Sequence, residues 1–247
     1  MSRYKDFPTP AELRTRGTVL IAAGRGETPA AYARLGSRLA ADAYQVRIVE
    51  APEIDPADVP GSLDGFAAAL TAATDGLPDR PLVLAGADSG AAALAALAGS
   101  GDSTAAWWPD ALVLAGLPGP TGVTGTWAAE LDVRTSCPVH RGVLTDSAVR
   151  GKLATPLPDA LLHAAYRSAP PLPQLVLIGA DDPLADRAAL ARTVKAAPRA
   201  RLSVVHGAHH DVLNDRQHRS VAAELVSFLE TLGNELVPVI SVESSAW

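Results

Sequence analysis

The sequence has a single cysteine and no long apolar run, and both absences limit the class of protein. Cys137 is the only cysteine in 247 residues, so an intrachain disulfide is impossible and an oxidising compartment is not indicated. No segment approaches the ~20 apolar residues of a membrane span. The first 17 residues also lack the apolar core of a signal peptide. We therefore expect a cytoplasmic protein with no membrane partner.

Clusters of positive charge are also missing. The chain has 21 Lys and Arg against 27 Asp and Glu, a formal net charge of -6, and its basic residues are scattered. Nucleic acids and anionic membranes bind clustered basic residues, so neither is an expected partner. No Gly/Ser-rich linker divides the sequence, which predicts one domain over residues 1–247. A small-molecule substrate remains as the expected partner.

The dominant pattern is a short apolar run followed by a helical stretch. Such runs occupy residues 18–24, 45–51, 81–87, 110–118, 174–180 and 201–208. They are continuously apolar, as in strands buried on both faces of a parallel sheet. The alternation with helices predicts an α/β fold with a doubly wound, mostly parallel sheet.

Two segments depart from this pattern. Residues 119–173 are rich in Pro, Gly and Thr, and the pattern predicts an irregular insertion with one helix near residues 158–169. The tail from Glu235 is expected to add an edge strand or to reach a second copy of the chain, which would make a homo-oligomer. Pro238 excludes a central strand there, since proline lacks the N–H that a central strand must donate.

The polar residues that follow the predicted strands are the candidate site residues, because sites in parallel sheets form at the carboxyl ends of strands. They are Gly24, Arg25 and Glu27, Glu50, Asp88 and Ser89, Asp181 and Asp182, and His209, His210 and Asp211.

Three of these strand ends carry short motifs in a fixed order. They read "GADSG" (86–90), "GADDPLA" (179–185) and "GAHHDVL" (207–213). The α/β-hydrolase superfamily has its nucleophile, acid and histidine in this order along the chain, and the sequence resembles that superfamily. The resemblance covers nearly the whole chain and implies a hydrolase with a catalytic triad and no cofactor. It also implies that residues 119–173 form a lid.

The resemblance gives each motif a role. His210 would be the general base and Asp182 the acid that orients it, with Asp181 as the alternative acid. Asp182 precedes Pro183 and could equally cap a helix over residues 183–196. The "AAGRGETP" stretch resembles the family's oxyanion loop, so Gly24 and the backbone N–H of Arg25 are candidate oxyanion or substrate contacts.

The nucleophile elbow admits two frames. The family pattern G-x-nucleophile-x-G, with Gly86 and Gly90, selects Asp88, whereas a shift by one residue selects Ser89. We favour Asp88. A carboxylate nucleophile attacks an sp³ carbon of an epoxide or alkyl halide and forms an alkyl-enzyme ester. A serine would instead make an esterase or thioesterase, which needs an oxyanion hole.

The supporting residues of the known aspartate enzymes are largely absent. Haloalkane dehalogenases have a tryptophan directly after the nucleophile, where this chain has Ser89. Epoxide hydrolases use two lid tyrosines, and residues 119–173 contain only Tyr166. The expectation of an epoxide-hydrolase activity therefore depends on the elbow motif alone. A non-hydrolytic enzyme or a binding protein on the same scaffold remains an alternative.

Other site classes have less support. "GRGETP" followed by Glu50 loosely matches a dinucleotide-binding loop, but Pro29 stands where a third glycine is needed. Cys137 and His140 are two metal ligands without a third, so no metal site is predicted. Arg134 and Arg141 would suit an anionic substrate group if they faced the cleft.

Overall fold

The computed structural model describes residues 4–77 and 80–245. These residues contain one seven-stranded sheet. The strands are β1 Tyr4–Phe7, β2 Gly17–Ala22, β3 Tyr44–Val49, β4 Leu82–Ala87, β5 Ala111–Ala115, β6 Gln174–Gly179 and β7 Ala200–Val205. Their order is β1-β3-β2-β4-β5-β6-β7, with β1 antiparallel and the others parallel. The predicted α/β class with a mostly parallel sheet is confirmed.

Eight α-helices in the described residues accompany the sheet. They are α1 Ala33–Ala41, α2 Val59–Thr74, α3 Ser89–Ser100, α4 Trp127–Arg134, α5 Pro138–Ser147, α6 Asp159–Arg167, α7 Arg187–Ala196 and α8 His218–Leu232. None of them is both long enough and apolar enough to cross a membrane.

The central strands are buried from end to end, which explains their unbroken apolar sequence. Every residue of β2, β4, β5 and β6 is buried. The Ala-rich helix α3 lies against β4 and β5 and contacts α6, and its small side chains allow this close packing. Two apolar clusters, one on each face of the sheet, make up the core. The carboxyl ends of the strands are therefore held in rigid positions.

Strand β1 was not predicted. It pairs antiparallel with β3 through residues Tyr4 to Phe7, "YKDF". Its side chains are half-buried or exposed, as at an edge, so it has no apolar run to reveal it. The sequence analysis therefore found six of the seven strands.

The prediction of one helix in residues 119–173 was wrong, because α4, α5 and α6 all lie there. The buried faces of α4 and α5 carry Glu130, Arg134 and His140, which a search for apolar periodicity does not detect. A second correction concerns the helix after Asp182. Helix α7 begins at Arg187, and Asp186 caps it by accepting from the N–H of Ala189 at 2.8 Å.

The tail does not form the expected edge strand within its described part, residues 235–245. The last two residues lie outside the described range. Val237, Val239, Ile240 and Val242 are instead exposed to solvent.

Candidate functional site

The turn between β4 and α3 is a strained elbow with Asp88 at its tip. Asp88 has φ 47° and ψ -113°, a conformation that residues other than glycine rarely adopt. A Cβ on Gly86 would lie 2.5 Å from the backbone nitrogen of Ala91, and one on Gly90 would lie 2.7 Å from the carbonyl oxygen of Ala22. Both glycines are therefore required by close packing, and the elbow uses the frame centred on Asp88.

Three of the predicted site residues meet at the end of the sheet. His210 Nε2 lies 3.2 Å from Oδ1 of Asp88, and His210 Nδ1 lies 3.0 Å from Oδ2 of Asp182. All three side chains are buried. The other oxygen of Asp182 accepts from the N–H of Leu184 at 2.9 Å, which fixes its orientation. The three side chains make a hydrogen-bonded Asp-His-Asp chain.

The histidine of this chain is held in its charged form. Burial opposes the charge, but the carboxylates of Asp182 and then Asp88 outweigh it and raise the pKa of His210 to about 10. At neutral pH the resting site therefore contains an imidazolium between two carboxylates.

Arg25 binds the carboxylate of Asp88 through three hydrogen bonds. Its backbone N–H and its Nε donate to Oδ2 at 2.9 Å and 2.8 Å, and its Nη2 donates to Oδ1 at 2.7 Å. Burial would raise the pKa of Asp88, but the Arg25 charge and its hydrogen bonds, followed by those of His210, hold that pKa well below its usual range. The backbone N–H of Arg25 thus lies where the sequence predicted an oxyanion donor, and its guanidinium forms a further, unpredicted contact.

Gly24 has a different position from the one expected. Its N–H is directed at Oε2 of Glu27 and at the hydroxyl of Tyr32, both at 3.1 Å, and so away from Asp88. A Cβ on Gly24 would lie 3.1 Å from the Cβ of Asp88. Gly24 therefore lets the loop approach the elbow closely and does not supply an oxyanion donor in this state.

In the described part of the chain, the other candidate site residues make no hydrogen bond to the Asp88, His210 and Asp182 side chains. Ser89 is buried at the start of α3, and its Oγ has no hydrogen-bond partner among the described residues. Asp181 is exposed. His209 pairs with Asp215, its Nδ1 lying 3.0 Å from Oδ2 of that residue. Arg141 pairs with Asp132 at 2.6 Å in an exposed position.

Part of the insertion covers the elbow. Nη1 of Arg25 donates to the carbonyl oxygen of Thr155 at 2.6 Å, and the N–H of Val149 donates to the carbonyl of Gly26 at 2.7 Å. The side chain of Asp88 is only 3 % exposed beneath these contacts. The insertion and the loop after β2 therefore leave little of the Asp88 side chain accessible to solvent.

A second buried network lies behind the loop after β2, and the sequence analysis did not predict it. His140 Nε2 lies 3.0 Å from Oδ2 of Asp211 and 3.8 Å from Oε1 of Glu27. Burial, and then the charge of Asp211, raise the pKa of Glu27 to about 7. Arg134 donates to Glu130 and, at 2.7 Å, to the carbonyl oxygen of Arg25. The strand-end positions of Glu27 and Asp211 gave a signal, whereas His140 was considered only as a metal ligand beside Cys137 and not as their partner.

Solved structures share this fold, although the sequence matches no protein-family model and no curated protein. A monoglyceride lipase from Saccharomyces cerevisiae superposes with a TM-score of 0.70 at 16% identity, covering 93% of this chain and 91% of the lipase. An enol-lactonase from Burkholderia xenovorans gives 0.65 at 16% identity, over 92% and 95%. The thioesterase domain of the curacin biosynthetic pathway gives 0.61 at 18% identity, over 92% and 94%. The chain has the α/β-hydrolase fold.

Proposed function

We propose that the protein is an α/β-type hydrolase of a small or medium organic substrate and that Asp88 is its nucleophile. The observation that supports this proposal is the position of Asp88, which occupies the strained elbow and contacts His210. A carboxylate at this position would attack an electrophilic sp³ carbon, as in an epoxide or an alkyl halide.

The first half of the reaction forms an ester. One oxygen of Asp88 attacks the carbon, a C–O bond forms, and the bond to the epoxide oxygen or halide breaks with its electron pair on the leaving atom. Oδ1 is the better attacking oxygen, because Oδ2 stays bound to the backbone N–H of Arg25. The attack requires Oδ1 to release both Nη2 of Arg25 and Nε2 of His210.

The second half returns the free carboxylate. Esterification removes the charge of Asp88, one of the two carboxylates that keep His210 protonated, so the imidazolium can give its proton to the alkoxide formed from an epoxide, or to solvent after a halide has left, and then act as a base. A water molecule attacks Cγ of Asp88 and passes a proton to His210. The bond between Cγ and the alkyl oxygen then breaks, the alcohol leaves with the second proton of the water, and the carboxylate and the imidazolium are restored. The N–H of Arg25 on Oδ2 is positioned to stabilise the negative charge of the tetrahedral intermediate.

Residues 119–173 would act as a lid over this site. The contact between Arg25 and Thr155 joins the lid to the cation that holds Asp88. Opening of the lid would therefore free the guanidinium as well as admit the substrate. Tyr166 donates to the carbonyl of Pro118 at 3.1 Å, so another group must assist departure of an epoxide oxygen.

The test is to trap the ester in the variant His210→Gln, which removes the base of the second half. Incubation with a panel of terminal epoxides and primary alkyl halides should add the mass of one hydroxyalkyl group from an epoxide, or of one alkyl group from a halide, mapped to the peptide that contains Asp88. Wild type should turn over the same compound without accumulating the adduct. The matched controls are His209→Gln, which should turn over normally, and Asp88→Asn with His210→Gln, which should form no adduct.

A non-hydrolytic role on the same scaffold is the second candidate. It is favoured by the ion pair of Arg25 with both oxygens of Asp88, which lowers the nucleophilicity of the carboxylate. In that case no variant would form an adduct with any member of the panel.

A serine esterase or thioesterase using Ser89 is the third. The solved neighbours described as a lipase, an enol-lactonase and a thioesterase favour ester chemistry, but Ser89 has no contact with His210. Labelling of Ser89 by a fluorophosphonate would establish this alternative and reject the aspartate mechanism.

A further inference from the structure

The cluster of Glu27, His140 and Asp211 has no part in the proposed reaction. Its members come from the loop after β2, the first turn of α5 and the loop after β7. Their side chains are only 2%, 1% and 4% exposed, in the same order. Charged groups so far from water need a compensating partner, because the interior solvates them poorly.

The positive charge nearby does not balance the carboxylates. Arg134 donates to Oε1 of Glu130 through Nη2 at 3.0 Å and Nε at 3.2 Å, and its Nη1 also pairs with Oδ1 of Asp211 at 3.5 Å. One guanidinium therefore serves two carboxylates, and those of Glu27 and Asp211 also share the single imidazole of His140. A divalent cation would neutralise these two carboxylates.

One atom of the cluster lacks a partner. Oε2 of Glu27 accepts from the N–H of Gly24 and from the hydroxyl of Tyr32, whereas its Oε1 is buried with no hydrogen-bond partner among the described residues. This free Oε1 faces Nε2 of His140, 3.8 Å away. An unpaired buried carboxylate oxygen is costly, and a bound ion is one of the explanations for such an atom.

The spacing of the three atoms suits a small metal ion. Oε1 of Glu27, Nε2 of His140 and Oδ2 of Asp211 all lie within 4.8 Å of one another, with separations of 3.8 Å and 3.0 Å at the histidine. Ligands of a tetrahedral Zn²⁺ lie about 2.0–2.1 Å from the ion and so about 3.3 Å apart. The two separations at the histidine lie within about 0.5 Å of this value, and the third, between the two carboxylate oxygens, would shorten from at most 4.8 Å as both close on the ion.

We propose that Glu27, His140 and Asp211 bind one Zn²⁺-like divalent ion. An imidazole with two carboxylates favours Zn²⁺ over Mg²⁺, which prefers six oxygen ligands. Tyr32 and Gly24 hold the second oxygen of Glu27, and Arg134 faces the second oxygen of Asp211, so outer contacts orient both carboxylates. The ion would replace the hydrogen bond between His140 and Asp211 and would tie the insertion to two strand-end loops.

The test uses the full chain, stripped of metal with a chelator and then titrated with zinc chloride at pH 8. Calorimetry and metal analysis after gel filtration should give one zinc per chain, and the Tm should rise with zinc but not with magnesium chloride. X-ray absorption of the zinc complex should show one imidazole with oxygen neighbours. Absence of retained zinc in the folded wild type would overturn the proposal, whatever the activity of the protein.

Two variants locate the ion, and one control variant checks its specificity. Glu27→Gln and Asp211→Asn keep the size of each side chain and should weaken zinc binding by at least about tenfold. His163→Ala, at an exposed position on α6, should bind zinc as wild type does. Unchanged affinity in both amide variants, or loss of zinc in His163→Ala, would place the ion elsewhere. If circular dichroism shows that an amide variant does not fold, the absorption spectrum of wild type decides, since two imidazoles in it would contradict this ligand set.

Discussion

Arg25 controls the charge of Asp88 through three hydrogen bonds, one from its backbone and two from its guanidinium. Asp88 and Asp182 carry two negative charges, and Arg25 and His210 carry two positive ones, so the resting site is balanced. Each of these side chains is buried or nearly so, and the loss of one would leave its partner unpaired in a poorly solvating environment. The stability of the fold and the chemistry of the site therefore depend on the same four groups.

The first prediction concerns the effect of pH on Asp88. Its pKa is lower in the folded state than in the unfolded chain, so its contribution to stability is present above about pH 4 and is lost as the pH falls through the folded pKa. At pH 7 the variant Asp88→Asn should lower the free energy of unfolding by about 3 kcal/mol, because Arg25 is left without its charged partner. Urea unfolding of both proteins between pH 7 and pH 2 measures the difference, which should shrink on acidification. A difference that stays constant with pH would show that the ion pair does not stabilise the fold.

At the elbow between β4 and α3, the glycines predicted from the sequence are the ones that the backbone packing requires. Gly86 and Gly90 were predicted to frame it, and both have backbone atoms where a side chain would begin. Gly65, in the middle of α2, is the opposite case, since no atom lies within 4 Å of a Cβ placed there. The two kinds of glycine should respond in opposite ways to the same substitution.

The second prediction uses that contrast. In Gly90→Ala the new methyl group would lie 2.7 Å from the carbonyl oxygen of Ala22, so the elbow must move and stability should fall by about 1–3 kcal/mol. Gly65→Ala should raise stability by about 0.5–1 kcal/mol, because alanine loses less backbone entropy in a helix. Thermal unfolding of the two variants beside wild type gives both values. Equal stability of the two variants would show that the elbow has room for a side chain.

The sequence predicted the parts of the fold that follow from local pattern. Six strands were visible because each contains a short apolar run, although only β2, β4, β5 and β6 are buried throughout and β7 is partly covered. The order of the three motifs placed Asp88, Asp182 and His210 at strand ends. The contact of Glu27 and Asp211 with His140 was not predictable, because it depends on how α5 packs on the sheet. The same is true of the contact between the guanidinium of Arg25 and Asp88, since only the backbone N–H of Arg25 had a predicted role.

At the scale of the whole molecule, the exposed tail is the feature without an intramolecular explanation. Val239, Ile240 and Val242 are 68%, 82% and 78% exposed. Scattered apolar residues on a surface are ordinary, but several in one short segment are typical of a contact with another chain. A homo-oligomer through the tail stays a prediction.

The third prediction tests that contact by mass. Light scattering after gel filtration should give a dimer for wild type and a monomer for the double variant Ile240→Asp, Val242→Asp. The control is Leu13→Asp, which places the same charge on another exposed apolar residue and should leave the dimer intact. A monomer for wild type, or a dimer for the double variant, would exclude the tail as the contact.

The backbone of Arg25 connects the two buried networks. Its N–H donates to Asp88, and its carbonyl oxygen accepts from Arg134, which is paired with Glu130. A change in charge at Asp88 or at Glu130 can therefore shift the backbone of Arg25 and so affect the other network. Anyone who re-engineers this protein for a new substrate should expect substitutions at Glu130 and Asp88 to be non-additive, although the two side chains belong to separate networks.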